Sequence, residues 1–434
     1  MKSVASFALG CKVNQAESEA VAEAFADKGY EVKNIDEKAD VYIINTCAVT
    51  NFGDKKSRQL LRKVKKLNPE AVVVAAGCYA QTDSAALESI PEVDIIVGTK
   101  GRHKIVDEVE RFFSERKRVC LVSDIMKEHD FEPISIRKLA GRTRAYIKIQ
   151  DGCSQFCSYC IIPYARGPVR SRDEEDILKE VSNLALNGFK EVVLTGIHVA
   201  SYGKDNHKSD LLTLIKRVSL INGIERIRLS SVEPNIVTEE FAHELSTMYK
   251  VCHHFHLSLQ SGCDKTLEAM NRKYTTEKYL QAVEILRKYM PDVAITTDII
   301  VGFPGESDSD YEESFRFAEK VGFAKIHVFP YSPKKGTPAA GMKCQIPSAI
   351  KSVRASKLIK LSDDMEDRFI GCFKGRVLDV LFEKGEGGFF EGHTSNYIKV
   401  FVKTDENLRN MILPVRIQDV SAKAAYGEIC RQMT

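Results

Sequence analysis

What the 434-residue chain lacks narrows its possible functions first. It has no apolar run approaching the about 20 residues that span a membrane, so no membrane-embedded role is expected. Residues 4–9 are apolar but give way at once to Lys12 and Asn14, and "ALGC" before Cys11 is a poor lipoprotein signal. Neither pattern supports a secretory leader. There is no internal repeat and no low-complexity segment, and 63 basic against 60 acidic residues leave a net charge of only +3. Regular cysteine spacing is also missing. Twelve cysteines at irregular intervals in so long a chain do not make the framework of a small secreted disulfide protein. Metal or redox chemistry in the reducing cytoplasm is expected instead.

Charge is present, but in clusters. Residues 55–66 hold seven basic residues and no acid, 135–172 hold eight against Asp151 alone, and 334–360 hold seven and no acid. One such run reads as a solvated helix face. Three of them, one flanking a cysteine-rich loop, point to a polyanion footprint and so to nucleic acid, with Lys55, Arg58, Arg62 and Lys66 as candidate RNA contacts.

Hydrophobic periodicity divides the chain into α/β units. Across residues 1–112, apolar runs at 4–9, 41–45, 72–76 and 93–97 alternate with helical patterns, the first opening at "NQAE" with Asn14 and Glu17 spaced as a capping box. This predicts an open parallel α/β domain. Cys11, Cys47 and Cys78 fall just past three of these runs. Loops there share one sheet edge, where such folds bind ligands, so the three can converge; three buried structural cysteines are the alternative. Residues 113–143 read as a polar linker. Over 144–370, strands near 145–150, 191–196, 225–230, 255–260, 294–301 and 324–330 predict a partial (β/α)6 barrel with its functional residues at the strands' carboxyl ends. Residues 371–434 turn to short β-like runs with Gly-rich turns, predicting a small OB-like barrel.

The first barrel strand leads into "GCSQFCSYCIIPYARG", which spaces Cys153, Cys157 and Cys160 as C-x3-C-x2-C. Three thiolates are one short of a closed zinc site, and no fourth Cys or His follows at suitable spacing. A noncatalytic RNA-binding protein with structural zinc is the competing reading. On a [4Fe-4S] cluster, three thiolates leave one iron to take the amino and carboxylate groups of S-adenosylmethionine. Electron transfer into its sulfonium would then release a 5′-deoxyadenosyl radical. "CHHFH" at 252–256 looks metal-like, but alternation along a strand sends neighbouring side chains to opposite faces.

With Tyr159 directly before the last cysteine, this loop resembles the radical S-adenosylmethionine superfamily. The resemblance implies a cosubstrate site at the strand ends. Thr195 and Gly196 stand where the superfamily usually holds the methionine amino group, although its common Gly-Gly-Glu is absent. Tyr159, Ser231, Glu233, Gln260, Gly302 and Gly305 are further candidates.

Adding "LGCKVNQAES", "INTCAVT" and "AGCYAQ" ahead of the loop, and "LSLQSGCDKTLEAMNRKY" and "DIIVGFPGE" behind it, the whole chain resembles the methylthiotransferases. That family joins a three-cysteine N-terminal domain, a radical barrel and a C-terminal TRAM domain. The resemblance implies two [4Fe-4S] clusters, one on Cys11, Cys47 and Cys78 and one on Cys153, Cys157 and Cys160. It also implies S-adenosylmethionine and a reducing donor such as flavodoxin or ferredoxin. The motifs are most similar to the bacterial branch that acts on the tRNA anticodon stem-loop. There it converts N6-threonylcarbamoyladenosine at position 37 to its 2-methylthio derivative, using two S-adenosylmethionine and a sulfur donor. Sister branches acting on N6-isopentenyladenosine in tRNA, or on a ribosomal protein aspartate, are the alternatives. A threonylcarbamoyl carboxylate calls for an Arg or Lys in the pocket and an isopentenyl group for apolar walls; the sequence does not place that pocket.

Overall fold

Six parallel strands form the first layer of the computed structural model, which describes residues 1–134, 143–421 and 423–430. They are β1 (Ser3–Ala8), β2 (Glu31–Lys33), β3 (Val41–Thr46), β4 (Val72–Gly77), β5 (Ile95–Val97) and β6 (Val119–Leu121), in the spatial order β2-β1-β3-β4-β5-β6. Every residue of β3 and β4 is buried, as central parallel strands with both faces covered must be. The sheet runs past residue 112 into the expected linker, because β6 pairs in parallel with β5. Three residues among charged neighbours carry too little alternation to be read as a strand. Arg137, Lys138 and Arg142 of that linker lie outside the described residues.

Helix α1 (Lys12–Asp27) starts earlier than "NQAE", with Cys11 at its N-cap and no side-chain cap. The expected capping box does not form. Asn14 and Glu17 are each 1% exposed and turn inward to Arg166.

The second unit comprises β7 (Arg144–Asp151), β8 (Arg170–Ser171), β9 (Glu191–Gly196), β10 (Arg226–Leu229), β11 (His254–His256), β12 (Ala294–Val301) and β13 (Lys325–Pro330). β10-β9-β7-β8 and β11-β12-β13 form two sheets, joined by the parallel bridges Ile227–Val251 and Val232–Leu257. Apart from β8, which runs antiparallel to β7, the six strands make the partial barrel predicted. Ala145, Ile147, Ile149, Val192, Leu194 and Ile227 pack outward into the main core. Arg144, Lys148, Glu191, Arg226 and Arg228 alternate with them and turn into the barrel.

The long helix Ser348–Gly371 packs on β13 and leads to a closed barrel of β14 (Val377–Glu386), β15 (Phe389–Thr394), β16 (Lys399–Lys403), β17 (Ile412–Ser421) and β18 (Ala424–Ile429). This barrel caps the strands' amino ends. Arg226 donates to the Asp379 carbonyl at 2.7 Å and the His393 carbonyl at 2.8 Å, and Arg144 meets Glu383 at 2.6 Å. Tyr397 stacks on His254 at 4.8 Å with the Arg228 guanidinium 4.7 Å from its ring. Among the described residues, no helix is long and apolar enough to cross a membrane.

Candidate functional site

Each cysteine of the first triad stands at the carboxyl edge of its strand. Cys11 follows β1, Cys47 directly follows β3, and Cys78 opens α3 (Cys78–Thr82) directly after β4. Gly10 adopts φ +92°, and a Cβ there would lie 2.7 Å from Cys47 Sγ, so glycine lets the two loops approach. The second triad occupies the loop after β7, closed by Cys153 N donating to the Gly167 carbonyl at 3.0 Å. Cys11, Cys153, Cys157 and Cys160 border one cavity of about 1120 Å³.

The sulfurs have positive partners. Arg166 Nε donates to Cys78 Sγ at 3.3 Å and Arg272 Nη1 to Cys157 Sγ at 3.1 Å. Burial pushes the Cys153 thiol up to about 11 and the Cys47 and Cys160 thiols up to about 12. Loading such thiols with iron releases protons. Among the described residues, no three His, Cys, Asp or Glu side chains gather to hold a single metal ion. Two sets of soft sulfur donors, each facing an arginine N–H, fit anionic iron–sulfur clusters.

Two buried networks fix these arginines. Arg272 Nη2 donates to Glu233 Oε1 at 2.7 Å, and His198 Nε2 lies 3.1 Å from Glu233 Oε2. Burial would raise the Glu233 carboxyl, but the His198 contact and the Arg272 charge hold it below the usual range. Across the interface of the first two units, Glu17 meets Arg166 at 2.5 Å, Lys148 at 2.7 Å and Arg102 at 3.0 Å. Asp151 joins through Lys148 at 2.5 Å and Arg166 at 3.4 Å.

The cavity gathers five of the candidate cosubstrate residues: Tyr159, Thr195, Gly196, Ser231 and Glu233. Gln260, Gly302 and Gly305 stand apart from its lining. Gln260 is held to β12, its N–H donating to the Asp298 carbonyl at 2.8 Å. Gly302 lies against Lys351, whose Cγ would be 2.2 Å from a Cβ there, and Gly305 follows in the same turn.

The basic runs divide sharply. On α2 (Asn51–Leu67), Lys55, Arg62 and Lys66 are exposed, whereas Arg58 is half-buried and donates to the Tyr79 hydroxyl at 2.8 Å. In the second run Arg144, Lys148, Arg166, Arg170 and Arg172 all pair with acids inside the protein. In the third, Lys334 pairs with Asp54, Lys351 donates to the Tyr331 carbonyl at 2.8 Å, and Arg354 meets Glu306 at 2.6 Å. The described residues of the second run thus neutralise internal charge, whereas the third run is split, with Lys335, Lys343, Lys357 and Lys360 exposed, so open basic surface remains on α2 and along the third run. Linear sequence did not reveal this because the acids come from distant segments. Arg166 and Arg272, which the sequence reading did not single out, sit in its quoted motifs "YARG" and "MNRKY".

"CHHFH" splits as alternation requires. His253 meets Asp292 at 2.6 Å, while His254 and His256 share the other face, each 3.1 Å from Thr296 Oγ1.

Residues 147–318 match the Radical SAM superfamily, and residues 3–98 match Uncharacterized protein family UPF0004. The chain is similar to the threonylcarbamoyladenosine tRNA methylthiotransferase MtaB of Bacillus subtilis (strain 168), at 42% identity over 99% of this chain and 97% of that protein. It is also similar to the tRNA-2-methylthio-N(6)-dimethylallyladenosine synthase of Caldicellulosiruptor saccharolyticus, at 37% identity over 97% of this chain and 91% of that protein. Among solved structures, it shares its fold with the radical S-adenosylmethionine methyltransferase TsrM of Kitasatospora setae, with a TM-score of 0.56, covering 78% of this chain and 74% of that one. At 16% identity this is a likeness of fold alone.

Proposed function

The chain belongs to the radical S-adenosylmethionine methylthiotransferases, and from that premise we propose that it converts N6-threonylcarbamoyladenosine at tRNA position 37 to its 2-methylthio derivative. The observation carrying this reading is the common cavity, in which Cys11 of one triad faces the same space as Cys153, Cys157 and Cys160. An adenine C2–H is inert to ordinary bases, so placing sulfur there calls for radical activation beside a sulfur-bearing site. S-adenosylmethionine and [4Fe-4S] clusters would supply both when Cys153, Cys157 and Cys160 hold one cluster and Cys11, Cys47 and Cys78 the other.

The chain's own groups orient the reaction. Thr195, Gly196, Ser231 and Glu233 form the wall beside the radical triad where the cosubstrate is bound. Arg272, clamped by Glu233, keeps a positive N–H on the Cys157 sulfur. Lys55, Arg62 and Lys66 hold anticodon stem-loop phosphates while the target base is splayed out into the cavity. Electrons come from a low-potential carrier such as flavodoxin or ferredoxin, and two S-adenosylmethionine and a sulfur donor are consumed.

Mass spectrometry of tRNA nucleosides from a strain lacking this gene tests the assignment. The 2-methylthio derivative of threonylcarbamoyladenosine should vanish, its unmethylthiolated precursor should accumulate, and a plasmid copy should restore the product. Loss of the isopentenyladenosine derivative instead would move the chain to the branch of its dimethylallyladenosine relatives.

A further inference from the structure

Lys12 follows Cys11 directly, opens α1 and borders the cavity shared by the two triads. The other cations on that wall are already neutralised. Arg272 meets Glu233 at 2.7 Å, Lys325 meets Glu366 at 2.9 Å, Lys399 meets Glu391 at 3.7 Å and Lys423 meets Asp363 at 2.5 Å. Lys12 makes no hydrogen bond or ion pair with any of the described residues. Its charged neighbours include Arg144, Arg228, Glu191 and Asp298. These have partners of their own: Arg144 with Glu383 at 2.6 Å, Arg228 with Glu191 at 2.8 Å, and Asp298 with His256 at 3.2 Å.

An independent feature of the same cavity also points to a ligand. His254 borders it, is 7% exposed and sits within electrostatic reach of Lys12. Its Nε2 lies 3.1 Å from Thr296 Oγ1, its ring is stacked on Tyr397, and its Nδ1 has no partner. In the tautomer that lets the Thr296 hydroxyl donate to Nε2, Nδ1 carries a proton with no acceptor. Buried donors without acceptors are costly unless a ligand supplies one. Helix α1 adds to the positive field, having neither an acidic residue in its first turn nor a side-chain cap.

We propose that Lys12, with the His254 ring beside it, binds the carboxylate of the substrate's threonylcarbamoyl group and so selects this nucleoside over adenosine and isopentenyladenosine. The inference rests on the function proposed above and names the residue that reads its substrate. A carboxylate entering a partly dehydrated cavity needs a cation, and a charge-assisted ammonium contact provides one. N6 is carried on C6 of the six-membered ring that also holds C2, so an arm anchored next to Cys11 keeps C2 near the sulfur-bearing triad. An isopentenyl arm would strand the same ammonium against hydrocarbon, which discriminates by repulsion as well as attraction.

The test uses full-length protein with its iron and sulfide reconstituted anaerobically. Equilibrium binding is measured to three anticodon stem-loops of one sequence, carrying threonylcarbamoyladenosine, its methyl ester or plain adenosine. Wild type should prefer the free carboxylate. Lys12→Gln should weaken binding of that RNA by about 10- to 100-fold and bring it level with the ester, leaving the plain RNA within about twofold, while Lys12→Arg retains the preference. Equal weakening for all three RNAs would make Lys12 a phosphate contact, and loss of iron per chain in Lys12→Gln would make it a support for the triad. Either result overturns the proposal, as does an unchanged carboxylate preference in Lys12→Gln. A wild-type enzyme blind to the carboxylate would refute the substrate assignment itself, and Lys12 with it.

Discussion

Cys157 and Cys47 offer the same sulfur chemistry to two different triads, so replacing each one separates two jobs. Cys157→Ala should abolish reductive cleavage of S-adenosylmethionine. Cys47→Ala should remove one cluster's worth of iron, roughly four atoms, still allow 5′-deoxyadenosine formation with a strong reductant, and yield no methylthiolated nucleoside. Iron and sulfide per chain, 5′-deoxyadenosine by chromatography and nucleoside mass spectrometry read the three outputs. Normal product from Cys47→Ala would sink the sulfur-delivery role. At the same scale, Gly10 is as constrained as the cysteines it separates. Gly10→Ala places a methyl 2.7 Å from Cys47 Sγ at a positive φ, and should lower iron content at the N-terminal triad without reducing that at the radical triad.

Helix α2 shows how an element sorts residues of identical charge. Ser57, Leu61 and Val64 bury one face, leaving Lys55, Arg62 and Lys66 on open surface, while Arg58 reaches back to Tyr79. Arg62→Gln and Lys66→Gln should each weaken tRNA binding and reduce the slope of log K against log salt by about 0.7 to 0.9. Arg58→Gln should change that slope less, because its guanidinium is already engaged. Filter binding or anisotropy across a salt series distinguishes them, and equal slopes for all three variants and wild type would return the stripe to a merely solvated face.

Over the whole molecule, buried charge binds the units together. Burial would raise the Glu17 carboxyl, but Arg102, Arg166 and Lys148 hold it down at about 2, against an ordinary 4.5. Its contribution, on the order of 3 kcal/mol, is therefore complete above the unfolded value and is lost as pH falls through about 2. Glu17→Gln leaves three buried cations undercompensated and should destabilise the protein by roughly 3–5 kcal/mol at neutral pH. Denaturant melts from neutral pH downward should show the variant's deficit shrinking as acid protonates the wild-type carboxylate; a deficit independent of pH would refute the account. Deleting residues 372–434 should be similarly costly. It strips Arg226 and Arg228 of their carbonyl partners and uncovers the barrel beneath His254, so the truncated chain should melt earlier as well as lose tRNA modification.

The sequence by itself determined the strand–helix order, the parallel layers and the placing of six cysteines at strand ends, because these follow from local periodicity and short spacings. Cys47 and Cys78 stand one residue past β3 and β4 for that reason. It could not say which charges are free. Arg166 and Lys148 read as part of a basic run, yet their partner Glu17 lies more than a hundred positions away and by its spacing from Asn14 itself reads as a cap. The same holds for the closed floor of the radical barrel, where Arg228 and Tyr397 meet only through packing of the third unit on the second. Lys12 is the converse case: nothing in "GCKVN" marks it as unpaired, and its freedom is decided where α1 brings it to the cavity beside cations that have all found partners. Periodicity is a property of neighbours along the chain, whereas neutralisation and exposure are properties of neighbours in space, and only the folded molecule brings those together.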